Sequence, residues 1–370
     1  MRFACEGGSR VNFTFDTITP VRELVIVVPD LYPPRELSGA SRDDTRPGAI
    51  PGLETVARFG ARTRLAAGWR RWLLGDIERV DLEGLAPACI AAAALDPALA
   101  ASFANSLTPS VTSWIATAVH LHAGLTRVHF DQRGLLRLTP PQQADLCADF
   151  ARTFGSSGQT LAPLPSGEFL LGTPGLPPLT TQEPGRAACG ELDQMMPAGA
   201  AAAPLRRLLA EIEMWLHALP LNEARRSRGE LPITALWPWG AAGRIVRPEQ
   251  RTPSGLPAAF GRDAWLEGLW RLNGAACRAP PEHLGEVLAA GTRAAVLVVE
   301  VGGEWRADES SVGSALHRLD ERFVSPALQA LRRGAVDGVS VMLNDARARI
   351  ERGSLRKFWR RTPRGLAGFA

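Results

Sequence analysis

Three short, mostly apolar runs along the chain predict strands that are buried on both faces. The runs are Leu24–Val28, Ala294–Val301 and Val336–Leu343, and aliphatic side chains dominate them. Continuous apolar runs of this length are typical of strands in a parallel sheet that helices cover on both sides. The pattern therefore predicts an α/β fold around a mostly parallel sheet.

Apolar residues at helical spacing occupy the segments between these runs. They predict helices at 52–60, Thr139–Phe154, Pro204–Leu219 and Ser311–Arg333. Thr139 stands before two prolines, which is a typical helix start. Because strands alternate with helices, we expect a largely parallel sheet with its helices on both faces.

In such a sheet, ligands bind at the edge where the strands end. The residues that follow the predicted strands are therefore candidates for a site. In this interpretation the edge carries Asp30, Gly240, Glu300 and the pair Asn344–Asp345.

The composition is that of a globular protein. The chain has 370 residues, of which 45% are hydrophobic and 22% are charged, which suits two domains or one domain with an insertion. The net charge is +4, and Lys357 is the only lysine. This small, arginine-based excess favours a compositional bias over selection for nucleic-acid binding.

Cysteines and apolar segments restrict the cellular setting. The five cysteines contain no CxxC pair, which predicts reduced thiols and argues against a zinc ribbon or a disulfide framework. The first residues lack the pattern of a signal peptide, and no uninterrupted apolar run reaches about 18 residues. We therefore expect a cytoplasmic protein with no membrane partner.

The segment 219–243 carries the densest motif in the sequence. Its distinctive positions are Asn222, Arg225, Gly229, Pro232, Trp237, Trp239, Gly240 and Gly243. The spacing of the first seven resembles, without a gap, the segment HPVN..R...G..PAN..W.WG.G of the archaeal type of cofactor-independent phosphoglycerate mutases, and Gly243 lies one position beyond the last glycine of that segment. So many fixed positions in one stretch are a more specific signal than a short motif.

Other segments follow the order found in that family. Pro29–Asp30 comes after the first predicted strand, where the family has a metal-binding aspartate, and residues 51–60 resemble the family's TPNLD.LA..G helix. The resemblance implies an alkaline-phosphatase-like α/β core, a mostly parallel sheet flanked by helices, at 20–100 and 236–370. An inserted α+β domain would occupy 101–235.

The resemblance also implies two sets of site residues. The metal ligands would be Asp30, Asp308 and Asp345, and the substrate-binding residues would be Arg127, Asn222, Arg225, Gly240 and Gly243. Arg225 could hold a phosphate in bidentate fashion, and the backbone N–H groups of the turn 240–243 could complete the site. The alternative is structural: Asn222 caps a helix, Arg225 pairs with a carboxylate, and the two tryptophans pack between domains.

Departures from the family pattern argue against metal-dependent catalysis. The segment 85–97, which corresponds to the family's nucleophile segment, contains no serine, and Cys89 is the only nucleophilic candidate there. The Gly-His and Asp-His ligands that follow the last strands in the family are missing here. The three aspartates are too few for two cations. No catalytic residue is assigned, and we expect no cofactor unless part of the site survives to bind Mn or Mg.

Three functions remain open from the sequence. The first is a catalytically degenerate, phosphoglycerate mutase-like protein that binds a phosphorylated small molecule in a regulatory or scaffolding role. The second is an active metal-dependent phosphoglycerate mutase, which is an intramolecular phosphotransferase, or a phosphatase. The third is association with nucleic acid through the tail 347–364, predicted as a basic helix that includes Phe358 and Trp359. The sequence does not determine the oligomeric state.

Overall fold

The computed structural model describes residues 21–30, 50–100, 111–123, 128–130, 132–188, 195–243, 245, 249–253, 255–301, 312–343 and 345–356. Its strands are β1 (Glu23–Val28), β2 (Ala61–Arg64), β3 (Val111–Val119), β4 (His122–Ala123), β5 (Val128–His129), β6 (Thr160–Pro163), β7 (Phe169–Pro174), β8 (Ala235–Ala242), β9 (Ala258–Phe260), β10 (Ala294–Val298), β11 (Gly338–Leu343) and β12 (Ala346–Glu351). Its helices are α1 (Pro51–Phe59), α2 (Gly68–Asp76), α3 (Pro87–Ala91), α4 (Pro140–Phe154), α5 (Pro184–Ala187), α6 (Ala203–His217), α7 (Pro220–Ser227), α8 (Ala264–Leu272), α9 (Leu284–Leu288), α10 (Val312–Leu319) and α11 (Ser325–Arg333). Within these ranges no helix has both the length and the apolar character needed to cross a bilayer.

A six-stranded sheet in the order β2-β12-β11-β1-β10-β9 forms the centre of the fold. Strand β1 pairs in parallel with β10 and β11, and β9 pairs in parallel with β10. Strands β12 and β2 extend the sheet in antiparallel orientation. The three strands predicted from apolar runs are β1, β10 and β11, so the predicted mixed α/β class with a mostly parallel sheet is confirmed.

The two faces of β1 explain why its sequence is apolar throughout. Leu24 and Ile26 belong to a core with α1, α9, α10 and α11, whereas Val25 and Val27 belong to a core with α2 and α8. All four are buried. Because both sides of the strand face helices, burial does not require the alternation of polar and apolar residues.

A second sheet, in the order β6-β7-β3-β8, is antiparallel throughout. This corrects the expectation for Gly240, which lies in β8 and so does not stand at the carboxyl edge of the parallel sheet. Strand β8 pairs with β3, with Trp237 opposite Thr117, a partner that no pattern within β8 could reveal. The predicted domain boundary at 235/236 coincides with the start of β8, and the division into domains stays a prediction.

The predicted helix at 347–364 is wrong at its beginning, since residues up to Glu351 form β12. Ala348 and Ile350 are buried, while Arg347 and Arg349 alternate with them and are partly exposed. This is the two-residue period of a strand, which arginine content obscures in the sequence. Phe358 and Trp359 lie outside the described residues.

Candidate functional site

Asp30 follows β1 and is 8% exposed. Its Oδ1 atom accepts a hydrogen bond from the backbone N–H of Val301, at 3.0 Å. Helix α5 lies directly against it, because a Cβ atom added to Gly185 would stand 2.6 Å from the Asp30 Cα. Asp30 is therefore enclosed by the segments that follow β1 and β10 and by α5.

Asp345 follows β11, the neighbour of β1. Its carboxylate forms an ion pair with Arg186 of α5, at 2.6 Å. Helix α5 therefore contacts both predicted metal ligands that the structure describes, and it covers the ends of β1 and β11. The third, Asp308, lies outside the described residues.

Arg137 forms a charged junction between the two sheets. Its Nη1 lies 3.1 Å from Glu168 Oε1 without hydrogen-bond alignment, and its Nη2 donates to Glu300 Oε1. Glu168 directly precedes β7 of the antiparallel sheet, and the Thr117 hydroxyl of β3 donates to it at 2.6 Å. Glu300 follows β10 of the parallel sheet. A single guanidinium thus contacts two carboxyl groups, one just before β7 of the antiparallel sheet and one just after β10 of the parallel sheet.

The junction contains more carboxylates than it can hold as anions. Burial raises the pKa of Glu300 to about 8; Arg137 opposes this shift, whereas Glu168, Asp263 and Asp30 add to it. Burial also acts against the charge of Arg137, but Glu168 and Glu300 still raise its pKa above the ordinary value. Arg137 is therefore a permanent cation, and Glu300 carries a proton at neutral pH.

Arg70 is a second buried cation beside this junction. It forms ion pairs with Glu183 at 2.6 Å and with Asp263 at 2.9 Å. Its guanidinium lies over the rings of Trp69 and Trp239, 4.6 and 4.8 Å from their centroids. Burial opposes its charge, but Glu183 and Asp263 raise its pKa above the ordinary value. The cation links α2 to β8 of the antiparallel sheet and to the start of α8.

A cleft opens beside the junction, where β9 and β10 end. Its walls are Arg137, Arg262, Pro280, Pro281, Leu297, Val298, Val299, Glu300, Arg322 and Phe323. Three arginines and one protonated carboxyl among apolar side chains make it a candidate site for an anion-bearing ligand.

The turn after β9 places Arg262 at this cleft. Gly261 has φ of +142°, and a Cβ atom on it would stand 2.8 Å from the Val298 carbonyl oxygen, so the turn requires glycine. Asp263 then begins α8, accepting a hydrogen bond from the Leu266 N–H at 2.8 Å. Arg262, between them, is exposed and has no hydrogen bond or ion pair with any described residue.

Arg322 reaches the cleft from a π-helical segment, Asp320–Val324, between α10 and α11. Its Nε donates to the Glu282 carbonyl at 2.9 Å and its Nη2 to the Pro281 carbonyl at 3.2 Å. Asp320 fixes the segment from the other side, because its carboxylate accepts hydrogen bonds from the N–H groups of Gly52 and Leu53 at the start of α1, at 3.0 and 2.6 Å. Such π-bulges are frequent at functional sites.

The predicted substrate residues of the 219–243 motif lie elsewhere. Asn222 is 1% exposed and bonds to Leu216 and Ile233, with three hydrogen bonds of 2.7–2.8 Å. Arg225 donates to the Leu231 carbonyl at 2.8 Å and pairs with Glu230 at 3.0 Å. These contacts agree with the alternative in which both residues have a structural role and Arg225 pairs with a carboxylate. Ligand binding by Asn222 and Arg225 stays a prediction.

The remaining members of that set have different surroundings. Gly240 has φ of +65° and packs against Pro87, whose Cβ would stand 2.8 Å from an added Cβ. Gly243 is exposed near Pro178. Arg127 lies outside the described residues. Of the predicted candidates, the structure brings Asp30 and Glu300 to one place.

Sequence reasoning missed Arg137, Arg70, Arg262 and Arg322. Arg262 could have been found, since it follows a short apolar run, Ala258–Phe260, as a residue at the end of a strand. The other three arginines come from helices or irregular segments, and nothing in the sequence distinguishes them among many arginines.

Comparisons with known proteins bear on the fold only. No protein-family profile matches the chain, and comparison with curated proteins found no match. A cofactor-independent phosphoglycerate mutase from Thermoplasma acidophilum is similar in structure, with TM-score 0.37 and 14% identity over 89% of each chain. A protein from Pyrococcus horikoshii has TM-score 0.38 and 13% identity over 90% of this chain and 88% of that one. Both TM-scores are below 0.5, and the alkaline-phosphatase-like fold stays a prediction.

Proposed function

We propose that this protein binds a small phosphorylated molecule in the cleft between Arg262 and Arg322, and that its role is binding rather than catalysis. The observation that carries the proposal is the exposed Arg262 guanidinium, which has no partner among the described residues and borders a cleft with two further arginines. An unpaired guanidinium beside fixed ones favours a planar, multidentate contact with a phosphate.

The cleft also suits the remainder of such a molecule. Leu297 and Phe323 form an apolar part of the wall, and Pro280 and Pro281 form a stiff one. The protonated Glu300 can donate a hydrogen bond to a ligand oxygen, which a carboxylate anion could not do. Charged, apolar and donor groups around one cavity are the usual arrangement of a small-molecule site.

The described thiols do not support covalent chemistry at this cleft. Burial raises the pKa of Cys147 and of Cys277 to about 12, so both stay protonated at neutral pH. Cys89, the nucleophile candidate of the sequence, is buried in α3 at 3% exposure. A binding role is therefore the simpler proposal.

Isothermal titration calorimetry with 3-phosphoglycerate and with inorganic phosphate tests the proposal. We expect binding that weakens with salt and falls at least about tenfold in Arg262→Gln, the loss of one charge-assisted contact of about 1.5–3 kcal/mol. The control is Arg207→Gln on α6, which removes another exposed arginine that does not line the cleft. Equal affinity in Arg262→Gln and Arg207→Gln would contradict the assignment of the cleft.

The active-mutase alternative has its own test on the same sample. Bound Mn, Zn and Mg are measured by elemental analysis, and conversion of 3-phosphoglycerate to 2-phosphoglycerate is measured with added Mn²⁺. Near-stoichiometric metal with turnover would replace the binding role by catalysis. Binding without metal or turnover would support the proposal.

A further inference from the structure

The family resemblance implies divalent cations near Asp30 and Asp345, so the fit of these residues to a metal can be tested. Asp30 accepts a backbone N–H and lies against α5, and Asp345 pairs with Arg186 of that helix. No group of three or more potential metal-binding side chains occurs among the described residues. The available oxygens already have protein partners, and they do not fit a two-metal centre.

The carboxylates around Asp30 nevertheless need a positive charge. Glu168 is 3% exposed and Glu300 is 10% exposed at the side chain, and both contact Arg137. Arg137 is also within electrostatic reach of Asp30. Buried carboxylates without a nearby cation would be costly, because burial removes the water that stabilises their charge.

Arg70 meets the same need for the adjoining carboxylates. Its side chain is 12% exposed, and it pairs with Asp263, which is 5% exposed, and with Glu183. Together, two guanidiniums lie among the five carboxyl groups Asp30, Glu168, Glu183, Asp263 and Glu300. The positive charge at this edge is covalently part of the chain.

We infer that Arg137 acts as a built-in counter-ion: its guanidinium joins carboxyl groups that flank the two sheets, so that this edge is stable without a divalent cation. The geometry supports this directly, since one side chain contacts Glu168, which precedes β7 of the antiparallel sheet, and Glu300, which follows β10 of the parallel sheet. The inference concerns charge balance and does not rest on the proposed ligand.

The wild-type protein gives the first test. After dialysis against EDTA, we expect less than stoichiometric Mn, Mg and Zn by elemental analysis and an unchanged midpoint of thermal unfolding. We also expect millimolar Mn²⁺ to leave that midpoint unchanged, since an ion that binds only the folded state would raise it. Stoichiometric metal after dialysis, or stabilisation by Mn²⁺, would overturn the inference.

Substitution of Arg137 gives the second test. Arg137→Ala leaves Glu168 and Glu300 without their cation, and carboxyl oxygens are ligands that Mn²⁺ prefers. We expect a lower unfolding midpoint that Mn²⁺ raises by several degrees. Arg152→Ala, which removes an exposed arginine paired with Asp149, is the matched control. Its unfolding midpoint should stay close to that of the wild type, and Mn²⁺ should not raise it. An Arg137→Ala protein that ignores Mn²⁺ would contradict the role of Arg137.

Two further variants keep the test decisive if Arg137→Ala does not fold. Arg137→Lys retains the charge and should retain wild-type indifference to Mn²⁺. Arg137→Gln combined with Glu168→Gln removes the cation together with a carboxyl group that it contacts, and should be more stable than Arg137→Gln alone. If the second substitution gives no gain, the junction is not held together by charge. Ligand titration is absent from these assays, so failure of the proposed function and failure of this inference are distinguishable.

Discussion

The proton on Glu300 predicts an unusual dependence of stability on pH. The side chain is 10% exposed and its pKa is raised to about 8 in the folded protein, against an ordinary value of 4.5. Between these two values the folded protein holds a proton on Glu300 that the unfolded chain has released. The unfolded state binds fewer protons, so the free energy of unfolding must fall as pH rises across this window.

The size of the effect follows from the width of the window. One proton held by the folded state alone changes stability by about 1.4 kcal/mol per pH unit. From about pH 5 to pH 8 the loss due to Glu300 reaches about 3–4 kcal/mol, a large part of the stability of an ordinary domain. Glu300→Gln keeps the shape of the side chain and an oxygen that can accept a hydrogen bond from Arg137, but the amide does not titrate. The variant should therefore lose this slope.

Urea unfolding at a series of pH values measures the prediction directly. The ten tryptophans give a fluorescence signal, and the free energy of unfolding is extrapolated to zero urea. We expect the difference between Glu300→Gln and wild type to move in favour of the variant as pH rises. Glu211→Gln, an exposed carboxylate on α6, is the control and should parallel the wild type. Parallel curves for Glu300→Gln and wild type would refute the assignment of the proton.

Three other substitutions test the packing that supports the site, each by urea unfolding. Gly268→Ala would place a Cβ atom onto the Ile90 carbonyl oxygen and should lower the free energy of unfolding by about 1–3 kcal/mol. The control, Gly75→Ala, has open space around the added Cβ atom and should be neutral or stabilise the protein by up to about 1 kcal/mol. Equal effects of the two substitutions would mean that α8 can move away from α3. Asp320→Ala should lower the free energy of unfolding by about 2 kcal/mol or more, because it leaves two buried N–H groups at the start of α1 without acceptors. A decrease below about 0.5 kcal/mol would show that water replaces the carboxylate as the acceptor. Asn222→Ala should destabilise the protein by about 2–3 kcal/mol and leave the affinity for phosphate unchanged, because its three hydrogen bonds join parts of the protein itself. Loss of phosphate affinity in the folded variant would show that Asn222 belongs to the ligand site.

The strands of the parallel sheet could be predicted because their signal is local. Leu24–Val28 is apolar on both faces, and the structure buries both faces of β1 between helices. The start of helix α4 could be predicted in the same way, since Thr139, which stands before two prolines, is its N-cap residue. In both cases a few neighbouring residues contain the information that determines the element.

The charged site could not be predicted in the same way. Arg137 and Glu300 are 163 positions apart, and their contact depends on how the two sheets pack. No periodicity marks an arginine that will be buried, and in this arginine-rich chain the residue type carries little information. The motif 219–243 is easy to see in the sequence because its residue types are specific. Asn222 and Trp239 make contacts that require one residue type at one position. Such requirements arise from packing as well as from ligand binding, so the motif alone does not identify a ligand site.

The balance of charge also explains why a ligand would bind at Arg262 rather than deeper in the cleft. The charge of Arg137 is already shared by Glu168 and Glu300, so an anion beside it would meet a neutral or negative surface. Arg262 has no such partner among the described residues. Loss of the Glu300 proton above about pH 8 adds a negative charge to the same wall, and the affinity for a phosphate should then fall because like charges repel at short range. One carboxyl group thus connects the stability of the two-sheet junction with the anion affinity of the cleft beside it.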